Sequence, residues 1–244
     1  MPCLTSMNAY GPDLSSIHEA GFSGLAINAA AELLSILPPA GKSKVVVDLG
    51  CGGGTLAGQL SMAGCQVFGY DLSPAMVAIA TKRVPKATFS VKSYVDADIP
   101  NADAVAAIGE VLNYRFDGRT TCEARCDLFH RIYHALSPGG LLLFDIATPE
   151  RANAQPEQSF RLQDDWAVLV RTLCQDQILT REITAFQRDG DRYRRSQETH
   201  RLELLDPAQI EEELTSIGYS VSRGTTYGGE EVLPGLCVFH ARKP

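Results

Sequence analysis

The stretch Lys44-Val-Val-Val-Asp48-Leu-Gly50-Cys-Gly52-Gly-Gly54 decides the fold, because it predicts a buried strand that turns sharply into a helix. A continuous run of β-branched residues is typical of a strand covered on both faces, as in a parallel sheet. Three alternate glycines after the strand allow the backbone to approach a ligand closely. We therefore expect a ligand to bind at this turn, at the N-terminus of the following helix.

Outward from this turn, strands and helices alternate along the chain. We predict six further strands, at 66–70, 87–91, 102–108, 141–146, 219–226 and 235–241. The predicted helices are 55–63, one that begins at Ser73-Pro74, 122–136, and one that runs from Asp206-Pro207 to Gly218. Such an alternation requires a parallel sheet with right-handed crossovers. The predicted fold is thus α/β, with a doubly wound, seven-stranded, mostly parallel sheet.

The periodicity changes on either side of this sheet. From about 160 to 204 apolar and polar side chains alternate with period two around a turn at Asp189-Gly190, which predicts an antiparallel β insertion after the fifth strand. The N-terminal segment instead places apolar residues at helical spacing before Pro38-Pro39. We predict a helical cover over 1–44, a ligand-binding domain over 45–155 and 205–244, and an antiparallel insertion over 156–204.

Composition excludes several classes of function. The formal net charge of -7 disfavours a nucleic-acid partner, and no run of 18 apolar residues predicts a membrane span. The seven cysteines are scattered and odd in number, which argues against a disulfide framework. Cys122 and Cys126 lack a second Cys or His pair at zinc-site spacing, so we expect no metal. A cytoplasmic location is expected.

The glycine turn does not match the pattern for a dinucleotide. The G-x-G-x-x-G fingerprint requires a glycine at position 55, where this chain has Thr55. Asp48 lies just ahead of the turn, where a carboxylate would oppose a pyrophosphate. A cationic ligand with sulfonium and ammonium groups suits that carboxylate better.

The motif Asp48-Leu-Gly50-Cys-Gly52-Gly-Gly54 resembles the first motif of class I S-adenosylmethionine-dependent methyltransferases. Asp71 resembles the acidic residue that ends the second strand in that family, and Ser137-Pro-Gly-Gly before the fifth strand is also typical of it. These motifs cover about 40 to 150 in the family's order. The resemblance implies a Rossmann-like domain, S-adenosylmethionine as the cofactor, and direct displacement of the methyl group by a small-molecule acceptor.

The resemblance also implies which residues hold the cofactor. In the family, the carboxylate in the position of Asp71 holds both ribose hydroxyls, a role that suits a charged acceptor. Met76 would pack against adenine or fill the core, and Glu110 would line the methionine end or cap the next helix. The full set is Asp48, Gly50, Gly52, Gly54, Asp71, Leu72, Met76, Ser93, Tyr94 and Glu110. The chain departs from the family at Lys92-Ser93-Tyr94, where relatives often carry an acid after a glycine.

The acceptor side has fewer sequence signals. Enzymes that methylate exocyclic base nitrogens carry a Pro-Pro-aromatic tetrad after the fourth strand, whereas this chain has Leu112-Asn113-Tyr114. We predict Asn113, Tyr114 and Arg201 as substrate-binding residues. The N-terminal helix and the insertion would supply the remaining walls, with His200, Tyr10 and His18 as catalytic candidates. His200 would act as a general base if the acceptor carries a proton.

Two other functions remain open from the sequence. The chain could bind S-adenosylmethionine without catalysis, as a regulator, or it could be an NAD(P)-dependent oxidoreductase, which Thr55 disfavours. The sequence leaves open whether nitrogen, oxygen, sulfur or carbon receives the methyl group, since one fold supports all four. The insertion could also form a homodimer contact.

Overall fold

A computed structural model describes residues 9–37 and 44–244. The main sheet contains β1 (Val45–Leu49), β2 (Gln66–Asp71), β3 (Thr88–Val91), β4 (Ala102–Ala107), β5 (Leu136–Ala147), β10 (Ser220–Gly224) and β13 (Leu236–Arg242). The insertion contains β6 (Gln158–Leu162), β7 (Trp166–Gln175), β8 (Ile178–Asp189) and β9 (Arg192–Glu203). A short hairpin contains β11 (Thr226–Tyr227) and β12 (Glu230–Glu231). The helices are α1 (Pro12–Gly21), α2 (Gly24–Ile36), α3 (Thr55–Met62), α4 (Pro74–Arg83), α5 (Cys122–Ala135) and α6 (Pro207–Ile217).

The seven-stranded sheet has the order β10-β13-β5-β4-β1-β2-β3. Strands β1 to β5 pair in parallel, whereas β13 is antiparallel to both β5 and β10. The predicted doubly wound, mostly parallel sheet of seven strands is therefore confirmed. Because the carboxyl ends of β1, β2, β4 and β5 meet at one edge, the loops that follow them lie side by side.

The core lies on both faces of this sheet. Val47 and Leu49 of β1 belong to a cluster that includes α5 and α6, while Val46 belongs to a second cluster that includes α2 and α3. All three side chains are fully buried, as the β-branched run predicts. Burial of such a side chain contributes about 1.5–3 kcal/mol, so β1 anchors the glycine turn to the centre of the molecule.

The antiparallel insertion predicted after the fifth strand is present as the four-stranded sheet β6-β7-β8-β9. One face of this sheet packs on α1, where Ile17 contacts a cluster that contains Trp166, Val168 and Ile183. The opposite face is largely exposed. The helix α1 therefore lies between the insertion and the carboxyl edge of the main sheet. The three-part division of the chain stays a prediction, and Pro38-Pro39, the predicted helix stop, lie outside the described residues.

Two local expectations need correction. The predicted turn at Ser137-Pro-Gly-Gly is part of β5, which begins at Leu136, because Gly139 and Gly140 pair with Lys243 while the register against β4 shifts. Strand β10 ends at Gly224, not at 226, because the chain then enters the β11–β12 hairpin. In both places tertiary contacts, and not the local sequence pattern, set the end of the strand.

The loop between β4 and α5 is held by Asn113, which is fully buried. Its Nδ2 donates to the carbonyls of Ala147 (2.9 Å) and Glu203 (2.6 Å), and its Oδ1 accepts from the Ala147 amide (2.9 Å). One side chain thus joins the loop to the ends of β5 and β9. Because every polar atom of this amide has a backbone partner, its role is structural.

Replacing Asn113 with Ala will leave these backbone groups buried without partners. We expect a loss of about 2–4 kcal/mol in the free energy of unfolding, from about 1–3 kcal/mol for each unsatisfied group. For a chain of this length this lowers Tm by about 5–10 °C, measured by differential scanning calorimetry. The matched control is Asn101→Ala at an exposed position, which should leave Tm unchanged. Equal Tm values for the two variants would contradict the role assigned to Asn113.

Candidate active site

The glycine turn after β1 is fixed against β2 by the backbone. The amides of Gly50 and Cys51 both donate to the carbonyl of Tyr70, at 2.8 and 3.0 Å. Gly50 has φ of 68°, and a Cβ there would lie 2.4 Å from a methyl group of Val111. Gly52 has φ of 51°, which also favours glycine. The turn therefore presents bare backbone to the cavity beside it.

Asp71, at the end of β2, completes this turn. Its carboxylate accepts hydrogen bonds from the amides of Gly52 (2.9 Å) and Ser73 (2.8 Å), and the Ser73 hydroxyl caps α4 by accepting from the Met76 amide. Burial raises the pKa of Asp71, while the two amide hydrogen bonds oppose that shift. Asp71 still lines the cavity, so its remaining lone pairs are available to a ligand.

Asp48 lies beneath the turn and is only 2% exposed. Its Oδ2 has no hydrogen-bond partner among the described residues. Burial, together with the nearby charge of Asp71, raises the pKa of Asp48 to about 8. A buried, unpaired carboxyl group beside a second one is stabilised by a cation. This donor set fits S-adenosylmethionine, which carries a sulfonium and an ammonium group.

A cavity of about 680 Å³ extends from Asp71 past the glycine turn to the insertion. This volume falls within the range of about 300–1,000 Å³ that is usual for small-molecule sites. Helix α1 and the inner face of β7 and β8 form the walls opposite the main sheet, with Phe22 and Val168 among the lining residues. The cavity therefore joins the edge of the main sheet to the insertion.

Helix α1 is tied to the glycine turn through Glu19. The carboxylate of Glu19 accepts from the Gly53 amide (3.0 Å) and the Thr55 hydroxyl (3.2 Å), and it pairs with Arg83. Burial opposes ionisation of Glu19, but contacts with His18, Arg83 and the Gly53 amide lower its pKa to about 2. Glu19 is therefore charged at neutral pH and holds α1 over the turn.

Tyr10 connects the segment before α1 to both other parts of the site. Its amide donates to Glu198 Oε2 (3.0 Å), its carbonyl accepts from the Ser73 hydroxyl (2.6 Å), and its own hydroxyl lies 3.1 Å from that of Tyr114. Tyr10 has φ of 47°, a left-handed conformation that is strained for a bulky residue. Burial raises the pKa of both tyrosines, so their hydroxyls stay protonated.

The loop after β4 is held by Asp145, a buried residue on β5. Its carboxylate accepts from the amides of Gly109 (2.8 Å) and Glu110 (2.7 Å) and from the hydroxyl of Tyr227 (2.9 Å). Burial raises the pKa of Asp145 to about 6. The sequence reasoning missed this residue, although a lone Asp within the apolar run Leu141–Ile146 was a usable signal.

Asp145 thereby places Glu110, whose φ of 63° is left-handed. Arg181 of β8 donates to both oxygens of Glu110, at 2.7 and 2.9 Å, and Arg151 Nε donates to Oε1 at 3.2 Å. Burial alone would raise the pKa of Glu110, but the two guanidinium groups hold it below its usual value. Both arginines line the cavity, and the sequence analysis identified neither of them.

The structure brings most of the predicted site residues to the cavity. Those that line it are Tyr10, His18, Gly50, Gly52, Asp71, Leu72, Met76, Tyr94, Glu110 and Tyr114. Asp48 and Gly54 belong to the turn but lie behind this surface, where Gly54 packs on Ala80. Ser93 is 3% exposed, and its Oγ accepts from the Val95 amide, so it also lies outside the lining.

Three predicted residues lie elsewhere and require correction. Asn113 is bonded to backbone, as described above, and does not reach the cavity. Arg201 is exposed on the outer face of the insertion, because the alternation along β9 directs it away from His200. His200 is 1% exposed, and its ring lies 4.8 Å from those of Tyr10 and Phe116.

The position of His200 does not support the predicted general base. Its Nε2 lies 2.9 Å from Glu198 Oε2, the same carboxylate that accepts from the Tyr10 amide. The aromatic rings stand between this histidine and the cavity, which it does not line. Its geometry is that of a positioning residue, which holds Glu198 and through it the backbone of Tyr10.

Across 9–37 and 44–244, His, Cys, Asp and Glu side chains form no group of three or more that could hold a metal ion. Over the same residues, no helix is both long and apolar enough to cross a membrane.

Comparison with known proteins gives sequence relatives. Residues 46–140 match the family described as a methyltransferase domain. A candidate methyltransferase of Geobacillus sp. (strain WCH70) is 29% identical over 73% of this chain and 75% of the relative. Malonyl-[acyl-carrier protein] O-methyltransferase of Enterobacter lignolyticus is 28% identical over 78% of this chain and 70% of the relative. Trans-aconitate 2-methyltransferase of Delftia acidovorans is 34% identical over 46% of this chain and 41% of the relative.

Solved structures share the fold over nearly the whole chain. An S-adenosylmethionine-dependent methyltransferase from Clostridium acetobutylicum has a TM-score of 0.76 at 18% identity and covers 93% of this chain and 96% of its own. CalS10 from Micromonospora echinaspora, an amino pentose methyltransferase, has a TM-score of 0.74 at 20% identity and covers 97% and 99%. At these identities the similarity concerns the fold alone.

Replacing Asp48 with Asn should stabilise the ligand-free protein, and the gain should grow with pH. The folded pKa of about 8 lies above the unfolded value of about 3.9, so the folded state binds more protons between these values. Wild-type stability therefore falls as pH rises from about 4 to about 8, a loss that Asp48→Asn does not suffer.

We expect the difference in Tm between Asp48→Asn and wild type to be larger at pH 8.5 than at pH 5.5. The increase should be at least about 2–4 °C, which corresponds to ~1 kcal/mol for a chain of this size. The control is Asp164→Asn in an exposed loop, which should show no such trend. A Tm difference that does not vary with pH would show that Asp48 ionises normally in the folded protein.

Proposed function

We propose an acceptor class for this chain and a role for each residue of its site. The premise is that the chain belongs to the class I S-adenosylmethionine-dependent methyltransferase superfamily. The chain is an S-adenosylmethionine-dependent methyltransferase, and S-adenosylmethionine is its cofactor. Its acceptor, in this proposal, is a small molecule that binds between the loops after β4 and β5, the N-terminal helices and the insertion.

The single observation that supports a small acceptor is the cavity between the main sheet and the insertion. Apolar side chains from three parts of the chain line it, namely Phe22 and Leu25 from the N-terminal segment, Val168 and Ile183 from the insertion, and Leu236 from β13. A cavity with such walls admits a small molecule more readily than a folded macromolecule. The net charge of -7 further disfavours a nucleic acid.

The cofactor end of the cavity is assigned to the edge of β1 and β2. Asp71 would accept hydrogen bonds from the ribose hydroxyls, because it lines the cavity with lone pairs left over from its two amide partners. Asp48, whose pKa burial raises to about 8 in the ligand-free protein, would ionise when the positive charge of the methionine end binds above it. Met76 and Tyr94 would contact the adenine, since both line the cavity near Asp71.

When bound, S-adenosylmethionine supplies an electrophilic methyl group on a sulfonium. The residues of this chain would contribute alignment of the acceptor and exclusion of water. The hydroxyls of Tyr10 and Tyr114 are protonated because burial raises the pKa of each. One of them donates to the other, so the pair would donate one hydrogen bond to the acceptor. His200 and Glu198 would position Tyr10 and would not take part in proton transfer.

The names of the relatives agree with a small acceptor group but differ in its chemistry. One relative is named for trans-aconitate, one for a malonyl group on a carrier protein, and CalS10 for an amino pentose. Because these acceptors differ, none of them transfers directly to this chain.

The remaining expectations on partners stay predictions. A homodimer could form through the insertion, where Phe160 and Leu162 of the edge strand β6 are 79% and 70% exposed. The cytoplasmic location likewise stays a prediction.

Cofactor binding can be tested with Asp71→Asn. We expect this variant to weaken the Kd for S-adenosylmethionine by about 10- to 100-fold, because charged hydrogen bonds to buried hydroxyls contribute about 1.5–3 kcal/mol. The measurement is isothermal titration calorimetry, with Asp127→Asn on the exposed side of α5 as the control. The Tm of the wild-type protein should rise when S-adenosylmethionine is added and should not change when NAD is added. An unchanged Kd in a folded Asp71→Asn variant would remove Asp71 from the site.

A further inference from the structure

We propose that the acceptor carries a carboxylate, that Arg181 and Arg151 bind this carboxylate, and that one of its oxygens receives the methyl group. This inference rests on the proposed function, because it assigns the acceptor within the same cavity.

The first argument is the charge balance at the end of the cavity near β5. Arg181, Arg151 and Glu110 form one hydrogen-bonded cluster with two positive charges and one negative charge. Their side chains are only 12%, 7% and 9% exposed. The neighbouring carboxylate of Asp145 is bound by two backbone amides and the Tyr227 hydroxyl, and it pairs with neither guanidinium. A buried charge without a counterion is unfavourable, so an anionic ligand would stabilise this cluster. An ammonium group at the same place would be repelled.

The second argument is that the cluster has donors to spare. A guanidinium group has five N–H donors in a planar fork that matches a carboxylate. Arg181 donates one N–H of each terminal nitrogen to Glu110. A further N–H bonds to the Tyr114 hydroxyl, so at least one terminal N–H remains for a ligand. Arg151 uses Nε on Glu110 and Nη1 on the Pro234 carbonyl, while its Nη2 donates to no described residue. The hydroxyls of Tyr10 and Tyr114 lie beside Arg181, and because one of them donates to the other, the pair adds one further donor.

The third argument is position along the sheet edge. In the order β2-β1-β4-β5, Asp71 ends β2, the glycine turn follows β1, Glu110 follows β4 and Arg151 follows β5. The acidic groups that suit the cofactor are therefore at one end and the arginines are at the other. This order assigns Arg181 and Arg151 to the acceptor, and not to the carboxylate of the cofactor.

The fourth argument is the lack of a base beside Arg181. Of the ionisable residues next to this guanidinium, Glu110 is bound by two arginines and the two tyrosines keep their protons. Glu231 is a further carboxylate in the cavity lining, but it lies at an exposed position on β12. His200 lies behind the aromatic rings. A carboxylate is already ionised at neutral pH, so it needs no base. An amine or alcohol would need one.

The reaction then balances without a proton transfer. A lone pair on the carboxylate oxygen forms the new C–O bond to the methyl carbon as the C–S bond breaks, and the bonding pair stays on sulfur. The products are a neutral methyl ester and S-adenosylhomocysteine. The apolar walls at Val168, Val170 and Ile183 favour an acid with an apolar body.

Binding is tested on the complex with S-adenosylhomocysteine. The probes are aliphatic monocarboxylates of increasing chain length and arylacetates, each compared with its neutral amide by isothermal titration calorimetry. We expect at least one acid to bind about 10-fold or more tightly than its amide. The acid-to-amide ratio is the affinity for an acid divided by the affinity for its amide. Arg181→Met should reduce this ratio to near one and leave the Kd for S-adenosylhomocysteine within about twofold of the wild-type value. Equal binding of every acid and amide by wild type would overturn the proposal.

The control is Arg171→Met, on the exposed outer face of β7, which should retain the wild-type ratio. Because Arg181→Met leaves Glu110 with one partner, Arg151→Met provides a second variant. It keeps the two hydrogen bonds between Arg181 and Glu110 and removes the excess positive charge. We expect Arg151→Met to lower the acid-to-amide ratio by about 10-fold. An unchanged ratio in a folded variant would contradict the assignment.

The transferred methyl group is traced with methyl-labelled S-adenosylmethionine and the acid that binds most tightly. A methyl ester releases labelled methanol in alkali, whereas N-, C- or S-methyl products retain the label. Volatile label after alkali is expected, and alkali-stable product or no labelled product would overturn methyl transfer to the carboxylate. If Arg181→Met weakens S-adenosylhomocysteine but not the acids, the arginines bind the cofactor and only this inference fails. If wild type binds neither S-adenosylmethionine nor S-adenosylhomocysteine, the proposed function itself fails.

Discussion

The structure of the cavity at its end near β5 depends on the carboxylate of Asp145, a buried residue within the sheet. By accepting from the amides of Gly109 and Glu110, it holds the loop after β4 in a left-handed conformation. Glu110 can then form ion pairs with Arg181 of the insertion and with Arg151 of the segment after β5. One buried acid thereby fixes where the insertion meets the main sheet. This hydrogen-bonded network tolerates little rearrangement, because its two buried carboxylates would otherwise lose their partners.

The two ends of the cavity differ in charge. Asp48 and Asp71 lie at the end near the glycine turn, where burial raises the pKa of both groups. At the other end, Arg181 and Arg151 outnumber Glu110. This arrangement suits a cationic methyl donor beside an acceptor that brings negative charge. Tyr10 lies between the two ends, and its backbone is bonded to Ser73 and to Glu198 of the insertion. The same two hydrogen bonds therefore hold Tyr10 in the cavity wall and position its hydroxyl.

The residues that the sequence reasoning misplaced have a common explanation. His200, Asn113 and Arg201 were predicted as site residues from their chemistry and their approximate position in the chain. The actual role of each depends on the strand face or loop that it occupies. His200 and Arg201 are neighbours on β9, so the pleat directs one inward and the other to solvent. His200 is then separated from the cavity by the aromatic rings of Tyr10, Tyr114 and Phe116. Those contacts join segments that are distant in sequence, and no local pattern encodes them.

The sequence by itself determined the order of strands and helices, the parallel sheet, the insertion and the glycine turn with Asp71. These features follow from side-chain periodicity and backbone freedom, which act over a few neighbouring residues. Only the tertiary structure decided that Arg181, Arg151 and Glu110 form one cluster and that Asp145 supports it. These residues come from β8, from the segment after β5, from the loop after β4 and from β5. Their contacts exist only once the insertion packs against the sheet, since hydrogen bonds and charges act through space and not along the chain.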